Sequence, residues 1–212
     1  MIVAVSGACH SGKTTLITRL KEISPEYVTV MSEVIREVDI DIDEIRKDPY
    51  EYLQFQKTMI GRKISQELRA AYQQQTKRNY HTKIYLIDRS LVDSYYYLTR
   101  YMNFDKMDEK IFREYEEFRQ IVLMTAQTHM KTIYDGIILL RAIPYPAIEN
   151  DKYRPTSLRY QQSAEFDYIK YLTYGIIGEE NDNLFYSKIM ECTGEDIIRP
   201  LELYTRFNTQ VD

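Results

Sequence analysis

The chain has 212 residues, of which 44% are hydrophobic and 28% charged, and this balance is typical of a soluble globular protein. Its formal net charge of −4 argues against a general nucleic-acid-binding protein, which would carry an excess of lysine and arginine. We expect neither a secretory leader nor a membrane-spanning segment, because the first residues lack a cationic and apolar signal pattern and no apolar run is long enough to cross a bilayer. With only two cysteines, we expect a cytoplasmic protein without disulfides.

The most specific motif lies in residues 7–14, which read GACHSGKT and match the G-x-x-x-x-G-K-T pattern of a phosphate-binding P-loop. An apolar segment suited to a buried strand precedes it, and Leu16, Ile17 and Leu20 follow at helical spacing. In such a loop the backbone N–H groups and the helix N-terminus face the anion. Lys13 would reach the β- and γ-phosphates, and the Thr14 hydroxyl would reach Mg²⁺.

Further along the chain, apolar strands are predicted at 27–31, 83–90, 136–141 and 184–189, with helical patterns between them. The helix from about Tyr50 to Lys77 is expected to bury an apolar stripe that includes Leu68 and Tyr72. Strands that alternate with helices predict an α/β fold, with a parallel sheet covered by helices on both faces. No linker or repeat divides the chain, so residues 1–212 are expected to form a single domain.

Polar residues follow two of the predicted strands and are candidates for chemistry. Asp88 ends a buried strand at the sheet edge that carries the P-loop, where a carboxylate can hold Mg²⁺. Arg89 could contact a phosphate or the acceptor oxygen, or form a strand-end ion pair. Glu33 and Arg36 share one face of a helical turn, where they could accept a hydroxyl proton and bind an anion. A plain surface ion pair is the alternative for these two residues.

Arg154 and Arg159 lie between the fourth strand and the next predicted helix. Phosphoryl transfer spreads negative charge over the equatorial oxygens, and an arginine supplied by the same chain can stabilise that charge. The alternative is a solvated basic loop.

Taken in order, these motifs resemble the small P-loop kinases related to the nicotinamide riboside kinase domain, and more broadly the deoxynucleoside and thymidylate kinases. The resemblance covers nearly the whole chain. It rests on the P-loop, Glu33-x-x-Arg36, Phe55-Gln56, Asp88-Arg89-Ser90 and Asp151-x-x-Arg154. It implies a three-layer P-loop kinase fold, with a five-stranded parallel sheet, helices on both faces and a mobile lid at about 145–160.

The resemblance also implies ATP and Mg²⁺ as ligands and assigns roles to single residues. Implied catalytic residues are Lys13, Glu33, Arg89 and Arg154. The implied ATP-binding residues are Gly7, Ala8, Cys9, His10, Ser11, Gly12, Lys13, Thr14, Thr15, Arg159 and Gly194. The acceptor would contact Glu33, Arg36, Gln56 and Arg89, with Gln56 reading the base. The implied metal ligands are Thr14 and Asp88.

Departures from the family patterns leave the acceptor open between a nucleoside and a nucleoside monophosphate. The motif after the third strand begins with Asp88, as in thymidylate kinases, where nucleoside kinases usually have Glu. The arginine-proline-glycine motif of thymidylate kinases is missing near Glu33.

Two other functions also stay open: an ATPase or nucleotide switch that acts through a partner, and a kinase for 5′ ends of polynucleotides. A small-molecule acceptor and no membrane partner are expected, and a homodimer is left open.

Overall fold

The computed structural model describes residues 1–8, 11–76, 83–141, 163, 166–169 and 189–192. The strands are β1 (Ile2–Gly7), β2 (Val28–Met31), β3 (Ile84–Asp88), β4 (Gly136–Leu140) and β5 (Ile189–Cys192). The α-helices are α1 (Lys13–Ile23), α2 (Ile42–Ile45), α3 (Pro49–Thr76), α4 (Leu91–Arg100) and α5 (Glu109–Thr132). Short 3₁₀ helices cover Val34–Glu37 and Phe104–Lys106.

The five strands form one parallel sheet in the order β2-β3-β1-β4-β5. Because β1 is central, Val5 pairs with Asp88 on one side and with Ile138 on the other. The carboxyl ends of β1 and β3 therefore lie side by side, which brings the P-loop next to the Asp88-Arg89 motif. The predicted α/β fold with a five-stranded parallel sheet is confirmed.

Alternation along β1 divides the core into two layers, because successive side chains of a strand point to opposite faces. Val3 and Val5 face α1, where they pack in one cluster with Leu16 and Leu20. Ile2 and Ala4 face the other way and belong to a larger cluster built with α3, α4 and α5. Helices on both faces give the three layers that the resemblance implied.

Helix α3 differs from the prediction on its buried face. Leu68 and Tyr72, expected in the core, are 52% and 67% exposed, so this part of the predicted stripe is wrong. Lys63 and Glu67 are buried there instead, at 3% and 0% exposure. The carboxylate of Glu67 lies 2.6 Å from Nδ1 of His129 and accepts a 2.6 Å hydrogen bond from the Tyr134 hydroxyl. Both contacts involve the same carboxylate oxygen of Glu67. Polar side chains with polar partners therefore lie on this buried face, beside positions that an apolar pattern would assign to the core.

The last predicted strand and the predicted lid have different outcomes. The fifth strand was predicted near 184–189 and lies at Ile189–Cys192, because pairing of Ile189 with Ile137 and of Cys192 with Leu140 sets its register. The predicted lid at about 145–160 lies outside the described residues. Among the helices that are described, none combines the length and apolar character needed to cross a membrane.

Candidate active site

Two glycines shape the loop between β1 and α1. Gly7 has a φ of +140° and Gly12 a φ of +86°, both in the region that glycine adopts without strain. Gly12 occupies the N-cap position directly before α1. A Cβ on Gly7 would lie 2.4 Å from the carbonyl oxygen of Leu140, so there is no room for a side chain at this position. The predicted loop residues Cys9 and His10 lie outside the described residues.

We predict that Gly7→Ala lowers the free energy of unfolding by about 2 kcal/mol or more, since the substitution adds a backbone clash to an unfavourable φ. Gly61→Ala is the matched control, because a Cβ at this position in α3 would meet nothing within 4 Å. That change should raise the free energy of unfolding by about 0.5–1 kcal/mol. Urea denaturation of the three proteins checks both signs, and equal effects of the two substitutions would contradict the proposed constraint on Gly7.

The side chain of Lys13 lies inside this loop and is only 4% exposed. Its ammonium group donates to the carbonyl oxygens of Gly7 and Ala8, at 2.8 and 2.5 Å, and to the Ser11 hydroxyl at 3.2 Å. The loop thus holds one cation at the point where two main-chain carbonyls converge. Thr14 and Thr15, the next two residues of α1, are exposed.

Glu33 and two arginines form a cluster at the carboxyl ends of β2 and β3. Glu33 is 8% exposed and forms an ion pair with the buried guanidinium of Arg89. Arg36 Nε lies 3.3 Å from the other carboxylate oxygen of Glu33. Arg36 also donates to the Thr14 hydroxyl at 3.4 Å and so connects this acid to the first turn after the P-loop.

Arg89 has a φ of +63°, the only positive φ of a non-glycine residue in the described part of the chain. This left-handed conformation costs an arginine about 1–2 kcal/mol, so surrounding contacts must hold it. The Arg89 guanidinium donates to the Tyr97 hydroxyl at 2.7 Å and lies 3.8 Å from the Asp93 carboxylate. The guanidinium carbon is also 4.8 Å from the Tyr97 ring centroid. These contacts direct the charged group toward Glu33 and away from solvent.

Asp88 is 6% exposed at the end of β3. Burial raises the pKa of its carboxyl group, and the negative charge of Glu33 raises it further. Arg89, Lys13 and Arg36 oppose this rise in the pKa. Burial has the opposite effect on the neighbouring Lys63, whose pKa it lowers. The site therefore concentrates charges of both signs in a region with little water.

A pocket of about 990 Å³, counted with its open mouth, lies beside this cluster. Five of the residues predicted from the sequence line it together, namely Glu33, Arg36, Gln56, Asp88 and Arg89. Gln56 is 8% exposed and projects from α3, between the apolar lining residues Phe55 and Met59.

An aromatic wall, whose residues no sequence motif singled out, closes one side of the pocket. The rings of Tyr97 and Tyr101 are parallel to within 4°, with centroids 5.8 Å apart. The Arg46 guanidinium lies 4.0 Å from the Tyr101 centroid, and Arg89 covers the Tyr97 ring from the other end. The sequence did contain a signal for this wall, because Tyr97 and Tyr101 are four residues apart in a tyrosine-rich segment and side chains at i and i+4 share a helix face.

Asp93 is a second functional candidate that sequence reasoning missed. It is 1% exposed and accepts hydrogen bonds from the Ser6 hydroxyl at 2.7 Å and from the Ser90 backbone N–H at 2.8 Å. The Gly7 backbone N–H approaches it at 3.4 Å. The Ser90-x-x-Asp93 spacing is that of a helix capping box, and this carboxylate also ties α4 to the strand that enters the P-loop.

Besides Cys9 and His10, three more predicted site residues lie outside the described residues, namely Arg154, Arg159 and Gly194. Among the residues that are described, no group of three or more His, Cys, Asp or Glu side chains could hold a metal ion. A metal site supplied by Thr14 and Asp88 would therefore depend on ligands from a bound nucleotide or water.

Comparison with known proteins assigns the chain to a family. A family model described as an AAA domain matches residues 2–172. Deoxyadenosine kinase from M. mycoides is similar in structure, with 15% sequence identity. With dCTP bound its TM-score is 0.62 over 97% of each chain, and with dATP bound it is 0.61 over 97% of this chain and 98% of that one.

The NadR protein in complex with NR aligns with 16% identity and a TM-score of 0.54, over 90% of this chain and 45% of NadR. No curated protein sequence matches this chain significantly. These likenesses confirm, at the level of the fold, the resemblance to the riboside kinase domain and to deoxynucleoside kinases. The chain belongs to the AAA domain family, and its fold is that of the P-loop nucleoside kinases.

Proposed function

We propose that this protein is a kinase that transfers the γ-phosphoryl group of ATP to a nucleoside or a nucleoside monophosphate. The observation that supports it most is the position of the Glu33–Arg89 ion pair, which lines the pocket and is linked to the P-loop residue Thr14 through Arg36. A donor held by the P-loop and an acceptor held in the pocket would meet at this cluster. Such proximity is the main requirement of phosphoryl transfer.

In this proposal the acceptor oxygen forms a bond to the γ-phosphorus while the bond from that phosphorus to the β–γ bridging oxygen breaks, and ADP leaves. Glu33 is the general base that takes the proton of an acceptor hydroxyl. Two guanidinium groups lie next to its carboxylate, and a carboxylate is a group that can accept a proton from a hydroxyl. A hydroxyl acceptor, and therefore a nucleoside, fits this role better than a monophosphate, because an ionised phosphate oxygen carries no proton for a base to remove.

Lys13, Arg36 and Arg89 supply positive charge around the transferring group in this proposal. Gln56 reads the planar end of the acceptor with its amide, which can both donate and accept hydrogen bonds. The aromatic wall of Tyr97 and Tyr101 offers a flat surface for a ring. Arg154 and Arg159 in a lid at about 145–160, together with Gly194 at the adenine, complete the site as the motif order implies.

Mg²⁺ would be held by the Thr14 hydroxyl and the Asp88 carboxylate, both oxygen donors of the kind that this cation prefers. When bound, it neutralises charge on the β- and γ-phosphates. A bound cation would oppose the rise in the pKa of Asp88, because it stabilises the ionised carboxylate. A cytoplasmic location and a possible homodimer stay predictions.

The decisive experiment incubates the purified full chain with ATP and Mg²⁺ and a panel of ribo- and deoxynucleosides and their 5′-monophosphates. Mass spectrometry identifies any phosphorylated product. We expect turnover with at least one nucleoside and weaker or no turnover with the monophosphates. If calorimetry shows ATP binding but no panel member gains a phosphate, the acceptor assignment is wrong. Release of free phosphate without a phosphorylated acceptor would instead favour an ATPase. Phosphorylation of an oligonucleotide 5′ end would favour a polynucleotide kinase.

A further inference from the structure

One face of α3 contacts the main chain at both strand ends that carry the charged cluster. Lys63, which is 3% exposed, donates from Nζ to the carbonyl oxygen of Asp88 at 3.1 Å. The same ammonium donates to the side-chain oxygen of Gln66 at 2.9 Å, and Gln66 in turn donates to the carbonyl oxygen of Ser32 at 3.0 Å. Lys63 and Gln66 are three residues apart, so their side chains lie on one side of the helix.

The two carbonyl groups are the ones that directly precede the charged pair. Ser32 precedes Glu33, and Asp88 precedes Arg89. A continuous chain of contacts therefore runs from the backbone before Glu33, through Gln66 and Lys63, to the backbone before Arg89. The Glu33–Arg89 ion pair closes this chain into a ring.

The peptide group between Asp88 and Arg89 is held at both of its polar ends. Its carbonyl oxygen accepts from Lys63, and its N–H donates to the carbonyl oxygen of Val5 at 3.1 Å. The orientation of this peptide sets φ at Arg89, which is +63°. A rotated peptide would move Arg89 out of the left-handed conformation and change the direction of its side chain.

We propose that Lys63 and Gln66 are positioning residues, which hold the main chain so that Glu33 and Arg89 meet at the acceptor. This inference rests on the proposed function for its kinetic consequence, but its structural part does not. Lys63 also lines the pocket, so direct contact with the acceptor is the competing role. The two roles predict different kinetics, because a positioning residue acts on kcat and a ground-state contact acts on KM.

The first test needs no substrate. The side-chain Nε–H resonance of Arg89 is recorded in ¹⁵N-labelled protein and assigned by its disappearance in Arg89→Lys. Lys63→Met keeps an unbranched side chain but removes the donor, and we expect the Arg89 resonance to shift or broaden. Lys63→Arg restores donors and should return the resonance toward its original position. Arg62→Met, an exposed neighbour on α3, should leave it unchanged.

The second test measures phosphoryl transfer with the acceptor found for the unmodified protein. Lys63→Met should lower kcat by about 10- to 100-fold with KM within about threefold, since small displacements of reacting groups have effects of this size. Gln66→Glu keeps an acceptor for Lys63 but removes the donor to Ser32, and should also lower kcat more than it changes KM. Lys63→Arg should recover much of the activity, and Arg62→Met should match the unmodified protein.

An unchanged Arg89 resonance in a folded Lys63→Met protein overturns the proposal, whatever the reaction proves to be. A rise in KM at constant kcat also overturns it and makes Lys63 an acceptor contact. If Lys63→Met does not fold, Gln66→Glu decides through the backbone ¹⁵N resonance of Glu33, which should shift. If the unmodified protein phosphorylates no acceptor, the proposed function fails, while the resonances still test the structural claim.

Discussion

Replacing Lys13 by alanine is expected to lower phosphoryl transfer by about 10³-fold, because it removes a preorganised positive charge from the P-loop. The ammonium is already buried in the loop, and it would exchange at least one of its bonds to Gly7, Ala8 and Ser11 for a phosphate oxygen. Loss of these hydrogen bonds should reduce the free energy of unfolding by only about 1–2 kcal/mol. Steady-state rates at saturating ATP, with urea denaturation in parallel, measure the two effects separately.

Lys21→Ala is the matched control, since Lys21 is an exposed lysine in the last turn of the same helix. Its rate should equal that of the unmodified protein. A Lys13→Ala protein that is folded and retains more than a tenth of the activity would remove this side chain from the proposed mechanism.

Glu33→Gln is expected to lower kcat by about 10²- to 10⁴-fold, the usual contribution of a general base. The amide keeps the shape of the side chain but cannot take a proton from the acceptor. ATP binding should change by less than a factor of about three, because the carboxylate faces the acceptor pocket. The change also leaves the buried Arg89 without its closest anion, so some loss of stability accompanies it.

Calorimetric titration with ATP separates binding from catalysis in this variant. Glu37→Gln provides the comparison, because Glu37 is exposed in the 3₁₀ helix that directly follows Glu33. Full turnover in Glu33→Gln would show that the acceptor hydroxyl loses its proton elsewhere, and Asp88 would become the next carboxylate to test.

The sheet and the P-loop were predictable because their signals are local. A glycine at each end of the loop and apolar residues on both sides of β1 need no knowledge of distant contacts. Glu33, Arg36, Asp88 and Arg89 could also be predicted to lie near one another, because the carboxyl ends of parallel strands meet at one edge. Their partners could not: the pairing of Glu33 with Arg89 depends on a left-handed φ at Arg89, which no residue pattern indicated.

The errors on α3 have a common physical cause. Lys63 and Glu67 look like solvent-facing residues in the sequence. Their buried partners are distant along the chain, since Asp88 lies 25 positions after Lys63 and His129 lies 62 positions after Glu67. Hydrophobic periodicity considers only the spacing of apolar residues and contains no information about such distant partners. It therefore assigned Leu68 and Tyr72 to the core, where the structure has a buried polar network instead.

The division of the core by the sheet has a consequence for combining substitutions. Within the part of the chain that the structure describes, the layer around Leu16 and Leu20 shares no buried residue with the layer formed by α3, α4 and α5. Destabilising effects of one truncation in each layer should therefore sum, whereas two truncations within one layer should deviate from additivity. The pocket draws its apolar lining from the second layer, so gains in thermal tolerance are best sought among the residues that pack against α1.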